Sequence, residues 1–128
     1  MDPVDILIAE DDAVLREVYQ KKFGLSGYAI RLVQNGEEAV AAILEKSPDI
    51  LILDFHMPIM DGFQVLEKFP KEQRSFSVIA LTNFGDQNSR ARAEALGVDE
   101  YFVKREMTIK QLIVMVETQL KAKKMQGK

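Results

Sequence analysis

Five short apolar bursts recur along this chain, at Ile6–Ala9, Ala29–Val33, Ile50–Leu53, Val78–Leu81 and Tyr101–Val103. Between them lie stretches with helical spacing. Apolar residues fall three and four apart in Val14, Leu15, Val18, Tyr19 and Phe23, in Ala39, Val40, Ile43 and Leu44, and in Ile109, Leu112, Ile113, Val116 and Leu120. Such a stripe marks a helix laid on a core. A further stretch, from about Gln87 to Leu96, offers mainly Ala91, Ala93 and Ala95, which predicts a shallowly packed and comparatively mobile helix. Strand and helix therefore alternate throughout, and few folds accept that order. Each helix must carry the chain back over the sheet, so successive strands run parallel and helices cover both faces. Three bursts are continuously apolar, as expected of strands buried on both sides. Ala29–Val33 alternates instead, which predicts an edge strand.

The punctuation agrees. Asn35 with Glu38, and Thr108 with Gln111, have the spacing of capping boxes. Gly27, Gly97 and the Ser47-Pro48 pair stand where helices should stop. The 128 residues suit one domain, and 47% hydrophobic against 29% charged residues can fill a core, which excludes disorder. No apolar run reaches the roughly 18 residues of a membrane span, and no secretion signal opens the chain. With no cysteine, disulfides, thiol catalysis and thiolate metal sites are excluded, and a cytoplasmic location fits. A net charge of -3 gives no broad pull toward nucleic acid. Residues 1–122 read as the domain and 123–128 as a basic tail. Lys121, Lys123, Lys124 and Lys128 suit a solvated helix end, a linker or a short polyanion contact.

In an open parallel sheet, ligands bind beyond the carboxyl ends of the strands. Those ends carry Glu10, Asp11 and Asp12, then Asp54, Thr82 and Lys104, while the second strand ends in Gln34 and Asn35. If the first, third, fourth and fifth strands are neighbours, these side chains converge. Carboxylates so gathered stay ionised together only around a cation. Hard oxygen ligands, without cysteine and with His56 the single histidine, favour Mg²⁺ over zinc. A metal, an ammonium and a hydroxyl around one carboxylate are the parts that stabilise a phosphoryl group in transfer. Asp54 is then the nucleophile, since carboxylates form acyl phosphates. Taken singly, each residue has a plainer reading as a turn residue or a helix cap. Their coincidence on one edge carries the functional reading.

Ile6-Leu-Ile-Ala-Glu-Asp-Asp, Leu51-Ile-Leu-Asp-Phe-His-Met-Pro-Ile-Met-Asp-Gly, Ile79-Ala-Leu-Thr and Tyr101-Phe-Val-Lys resemble, in order and spacing, the receiver domain of two-component response regulators. The likeness covers about Val4 to Leu120 and is nearest to stand-alone, chemotaxis-type receivers. It implies an α/β, flavodoxin-like, three-layer doubly wound fold, with five parallel strands in order 2-1-3-4-5 and five helices. It implies that Asp54 accepts a phosphoryl group from a histidine kinase or phosphotransfer protein. Asp11 and Asp54 would bind Mg²⁺ (or Mn²⁺) directly, Glu10 through water, and His56 through its backbone carbonyl. Asp12 would stay outside the metal's ligands. Thr82 would bond a phosphoryl oxygen, Lys104 would pair with Asp54, and Tyr101 would turn inward as the switch aromatic. The fourth helix, fifth strand and fifth helix would present the changed surface to a downstream protein. The domain would be a signalling protein rather than an enzyme, monomeric or dimeric on phosphorylation, with no contact to nucleic acid or membrane of its own.

Three positions depart from the family pattern. Arg105 follows Lys104 where proline is usual; a cis bond before a non-proline residue costs about 3 kcal/mol, which favours a trans, differently shaped loop. Asn83 is larger than the usual small residue and would narrow access to Asp54. His56 stands two residues past the phosphoacceptor, a variable position. Either its ring is an exposed bystander or it borders the phosphoryl group and sets its lifetime, as Asn83 and Phe84 would also do at the pocket's edge.

Rival classes lack a part each. A flavodoxin-like cofactor binder needs a phosphate-cradling loop after the first strand, where this chain puts three acids. A Toprim-like Mg²⁺ enzyme wants a second acid at His56. A receiver-like scaffold would not need the lysine and hydroxyl. Only eight residues follow Leu120, too few for a DNA-binding module, so the expectation is a protein that acts through partners or a piece of a larger regulator.

Overall fold

In the computed structural model, which describes residues 3–83 and 87–126, with side chains as far as Lys123, the alternation closes into a doubly wound sheet. The elements run β1 (Asp5–Ala9), α1 (Ala13–Gly24), β2 (Ala29–Val33), α2 (Gly36–Glu45), β3 (Ile50–Asp54), α3 (Gly62–Lys68), a 3-10 turn (Lys71–Gln73), β4 (Ser77–Thr82), α4 (Gln87–Ala95), β5 (Glu100–Val103) and α5 (Ile109–Gln126). All pairings are parallel, in the order β2-β1-β3-β4-β5 expected from the sequence. β1 and β3 are buried at every position, whereas β2, at the edge, is half-buried throughout. Arg31 is tolerated in that edge strand because its guanidinium bonds the Asp5 carboxylate at 3.0 Å and the carbonyls of Ala42 and Lys46.

The period of two along each strand separates the core into two layers. Ile6, Ile8, Ile50, Ile52, Ile79 and Leu81 face Tyr19 and Phe23 of α1 and Leu112 and Val116 of α5. Leu7, Ala9, Leu51, Leu53, Val78 and Ala80 face α2, α3 and the single buried residue of α4, Ala93. Burying apolar surface on both sides of one sheet, at roughly 25 cal/mol per Å², is what fixes the register. A one-residue slip would interchange the layers.

Helix starts hold as expected with one difference. Thr108 and Gln111 cap α5 reciprocally, at 2.7 and 3.2 Å. Asn35 accepts from the Glu38 amide at 2.8 Å, but the Glu38 carboxylate turns to the Gln34 amide, so that box is half-formed. Val14 and Leu44, assigned to apolar stripes, are 68% and 73% exposed. They lie in the first turn of α1 and the last turn of α2, beyond the layer each helix covers.

The loop after β3 is held hard. Met60 donates its amide to the Pro58 carbonyl at 2.7 Å, closing a γ-turn around Ile59 at φ 71°. That is the rarer, strained form of the turn, and a β-branched residue there costs roughly 1–2 kcal/mol. The Met60 carbonyl is clamped in turn by the Gly36 amide at 3.0 Å. A Cβ on Gly36 would overlap that carbonyl. Gly36→Ala is therefore expected to cost about 2 kcal/mol in urea unfolding. An unchanged midpoint would show that the loop yields freely.

Candidate functional site

Parallel pairing sets Ala9 against Leu53, so Glu10 lies abreast of Asp54 one step on. The ladder continues past the strands themselves. Glu10 donates its amide to the Val33 carbonyl at 3.0 Å, and Lys104 donates to the Thr82 carbonyl at 2.8 Å. The candidate side chains are thus mounted on hydrogen-bonded backbone rather than on free loop.

Lys104 brings them together. Its Nζ lies 2.7 Å from Asp54 Oδ2 and 2.7 Å from Glu10 Oε1. Both acids are buried, at 1% and 0% exposure. Asp54 Oδ1 accepts the His56 amide at 2.9 Å, and Glu10 Oε2 accepts the Asp12 amide at 3.3 Å. Burial raises the Glu10 carboxyl from an ordinary 4.5 to about 7, reinforced by the hydrogen-bonded Asp54 carboxylate and opposed by Lys104. Burial also works against the charge of Lys104, but its two carboxylate partners outweigh it and raise its pKa. Carboxylate oxygens of Glu10, Asp11 and Asp54 lie within 4.8 Å of one another, with Asp11 exposed. This all-oxygen, largely dry group fits a hard divalent cation.

Asp12 turns away, as expected, to cap α1 through the amides of Val14 at 2.9 Å and Leu15 at 3.2 Å. Thr82 is fully buried, and its hydroxyl lies 3.2 Å from His56 Nε2. The His56 ring thus touches Thr82, although the side chain is otherwise exposed. Asn83 is exposed, and Phe84 lies outside the described residues. Tyr101 is 9% exposed, with the Arg90 guanidinium 5.0 Å from its ring centroid. The Lys104–Arg105 peptide is trans, as no cis bond occurs among the described residues. Periodicity had hidden Tyr19, whose hydroxyl donates to Glu10 Oε1 at 3.4 Å. Its phenol is pushed well above the ordinary value by burial, then by the charges of Glu10 and Asp54. Arg16, also unread, bonds the Glu10 carbonyl at 2.8 Å.

The raised Glu10 carboxyl has a signed consequence. A folded-state pKa above the unfolded one favours folding below about 4.5, and that advantage is lost as pH climbs toward about 7. Without metal, the melting midpoint of the wild-type chain relative to Glu10→Gln should fall from about pH 5 to about pH 7.5, and added Mg²⁺ should restore it. A pH-independent difference would disprove the burial penalty.

The site has relatives. A model of the response regulator receiver domain matches residues 6–117. The chain is 34% identical over 99 residues to a probable transcriptional regulator, ycf27, of Guillardia theta, covering 77% of this chain and 39% of that protein. It is 34% identical to the transcriptional regulatory protein ResD of Bacillus subtilis, over 77% of this chain and 41% of that one. It thus spans about two fifths of the length of these relatives. Among solved structures, a DNA-binding response regulator of the LuxR family from Staphylococcus aureus superposes with TM-score 0.84 at 31% identity, covering 91% of this chain and 98% of that one. A CheY-like receiver domain from Methanospirillum hungatei gives TM-score 0.91 at 21% identity, over 98% and 99% of the two chains, a likeness of fold.

Proposed function

The chain belongs to the response regulator receiver family, and on that footing we propose that it is a phosphoryl-accepting switch with Asp54 as acceptor, its domain spanning residues 1–122. The observation that carries this is Lys104 held between two buried acids at the carboxyl edge of the sheet. An Asp54 oxygen attacks the phosphorus of a phosphohistidine on a kinase or phosphotransfer protein. The new P–O bond forms as the P–N bond breaks, and the histidine nitrogen keeps that electron pair. Asp11 and Asp54 would hold Mg²⁺ (Mn²⁺ can replace it), helped by Glu10 through water and by the His56 carbonyl; the ion would neutralise charge on the transferring group. Lys104 and the Thr82 hydroxyl stabilise the remaining phosphoryl oxygens.

Thr82 is drawn toward that group, the Tyr101 ring, already buried beside Arg90, repacks with it, and the surface of α4, β5 and α5 changes for a downstream protein. No helix among the described residues is long and apolar enough to cross a membrane. We further propose that the domain works in the cytoplasm, as a monomer or a phosphorylation-dependent dimer.

The test is incubation with Mg²⁺ and acetyl phosphate, read by intact mass. Gain of one phosphoryl group is expected, and no gain with any donor, together with no beryllofluoride binding, would favour a phosphorylation-independent scaffold. The ring of His56 lies against the Thr82 hydroxyl, and we infer that it hinders an attacking water. His56→Asn should therefore shorten the phosphoryl half-life by about threefold or more, under 1 kcal/mol of barrier at the lower end. Equal half-lives would make the ring a bystander.

A further inference from the structure

Tyr19 sits on α1 at a position that helical spacing gives to the core, and its ring is there, 1% exposed among Ile8, Phe23 and Leu81. An all-core position would be served by phenylalanine. The hydroxyl instead reaches the floor of the acidic pocket and donates to Glu10 Oε1 at 3.4 Å. The acceptor directions of Glu10 are then divided unevenly. Oε1 takes Tyr19 and Lys104, Oε2 takes the Asp12 amide, and the Asp54 carboxyl is also hydrogen-bonded to the Glu10 side chain. Oε1 is thus held by two side-chain donors, and Oε2 by a backbone amide.

We propose that Tyr19 is a positioning residue for the cation site: its hydroxyl, offered from the helix layer beneath the sheet edge, fixes Glu10 so that Oε2 serves the water shell of a divalent ion. The proposal rests on the cation site described under the proposed function. Lys104 cannot do this alone, because it is shared with Asp54 and is drawn toward any phosphoryl group placed there. Tyr19 is not so divided; its partner among the described residues is Glu10.

Tyr19→Phe keeps the ring and removes the donor. In the full chain, freed of metal, calorimetric titration with Mg²⁺ should show Kd raised about tenfold, the low end for losing a group that orients a metal ligand. The metal-free melting midpoint should stay within about 2 °C of wild type. Tyr19→Leu should weaken Mg²⁺ to the same degree, whatever it costs in packing. Unchanged affinity in Tyr19→Phe would overturn the role, as would weakening confined to Tyr19→Leu, since either assigns the effect to the ring. A metal-free midpoint lowered by more than about 5 °C in Tyr19→Phe would overturn it too, by making the hydroxyl structural. A wild-type chain that takes up no Mg²⁺ would remove the cation site itself, whereas wild-type binding matched by Tyr19→Phe removes Tyr19 alone.

Discussion

Incubated with acetyl phosphate and Mg²⁺, the Asp54→Asn chain is expected to keep its original mass while the wild type gains one phosphoryl group. An amide oxygen is a poor nucleophile, and its phosphoryl adduct would lack the acyl phosphate's formation route. The fold should survive the change. Asn keeps a carbonyl oxygen for the His56 amide, which Asp54 Oδ1 now accepts at 2.9 Å, and Glu10 still neutralises Lys104. Loss of one of two neighbouring buried negative charges should leave the metal-free chain at least as stable at neutral pH. The two readouts separate chemistry from folding. A full mass gain in the variant would place the acceptor elsewhere, and an unfolded variant would mean that Asp54 is needed for the architecture itself.

Removing Lys104 should have the largest effect on stability. Lys104→Met leaves Glu10 and Asp54 side by side, nearly dry and without a counterion. Breaking a buried charge pair by deleting one partner costs roughly 3–5 kcal/mol. A shared proton offsets part of that, so a loss of about 3 kcal/mol is expected near neutral pH, or on the order of 10 °C in melting midpoint. The deficit should shrink in acid, where the carboxyls carry protons, and should shrink again with millimolar Mg²⁺. The variant should also bind Mg²⁺ more tightly than wild type, because the ion no longer competes with an ammonium. It should still take up phosphate far more slowly, having lost the cation that faces the phosphoryl oxygens. Equal stability with and without Lys104, at neutral pH and free of metal, would mean that water already solvates the pocket.

The sheet and the gathering of Glu10, Asp54 and Lys104 at one edge were legible because both follow from short-range pattern. A run such as Ile50–Leu53 must be covered on both faces, and the alternation of strands with helices forces parallel order. Once the order is set, what ends each strand lands on one edge. The weakness of α4 was legible too, since three alanines can bury little, and only Ala93 is buried. Side-chain reach was not legible. Tyr19 was placed on the core side correctly, yet periodicity reports the direction of a Cβ and nothing of a hydroxyl carried by the ring to Glu10. His56 and Thr82 are 26 positions apart, and their contact depends on the register of two strands. Val14 and Leu44 show the opposite limit: the right helical angle at a helix end that has no layer beneath it. The positive φ of Ile59 runs against residue preference altogether. It is imposed from outside, by the clamp between Met60 and Gly36.

The strand order also ranks events in time. Glu10 follows β1 and Asp54 ends β3, strands that pair at the centre of the sheet, while Lys104 follows the outermost strand, 50 positions after Asp54. On a ribosome adding about 5–20 residues per second, the two acids exist for several seconds before their counterion is made. A nascent chain that pairs β1 with β3 early must therefore leave that end of the sheet frayed, protonated or attended by a cation from solution. Closure of the pocket becomes the final act of assembly, so magnesium supplied during synthesis should speed folding of the emerging chain more than it speeds refolding of the finished one.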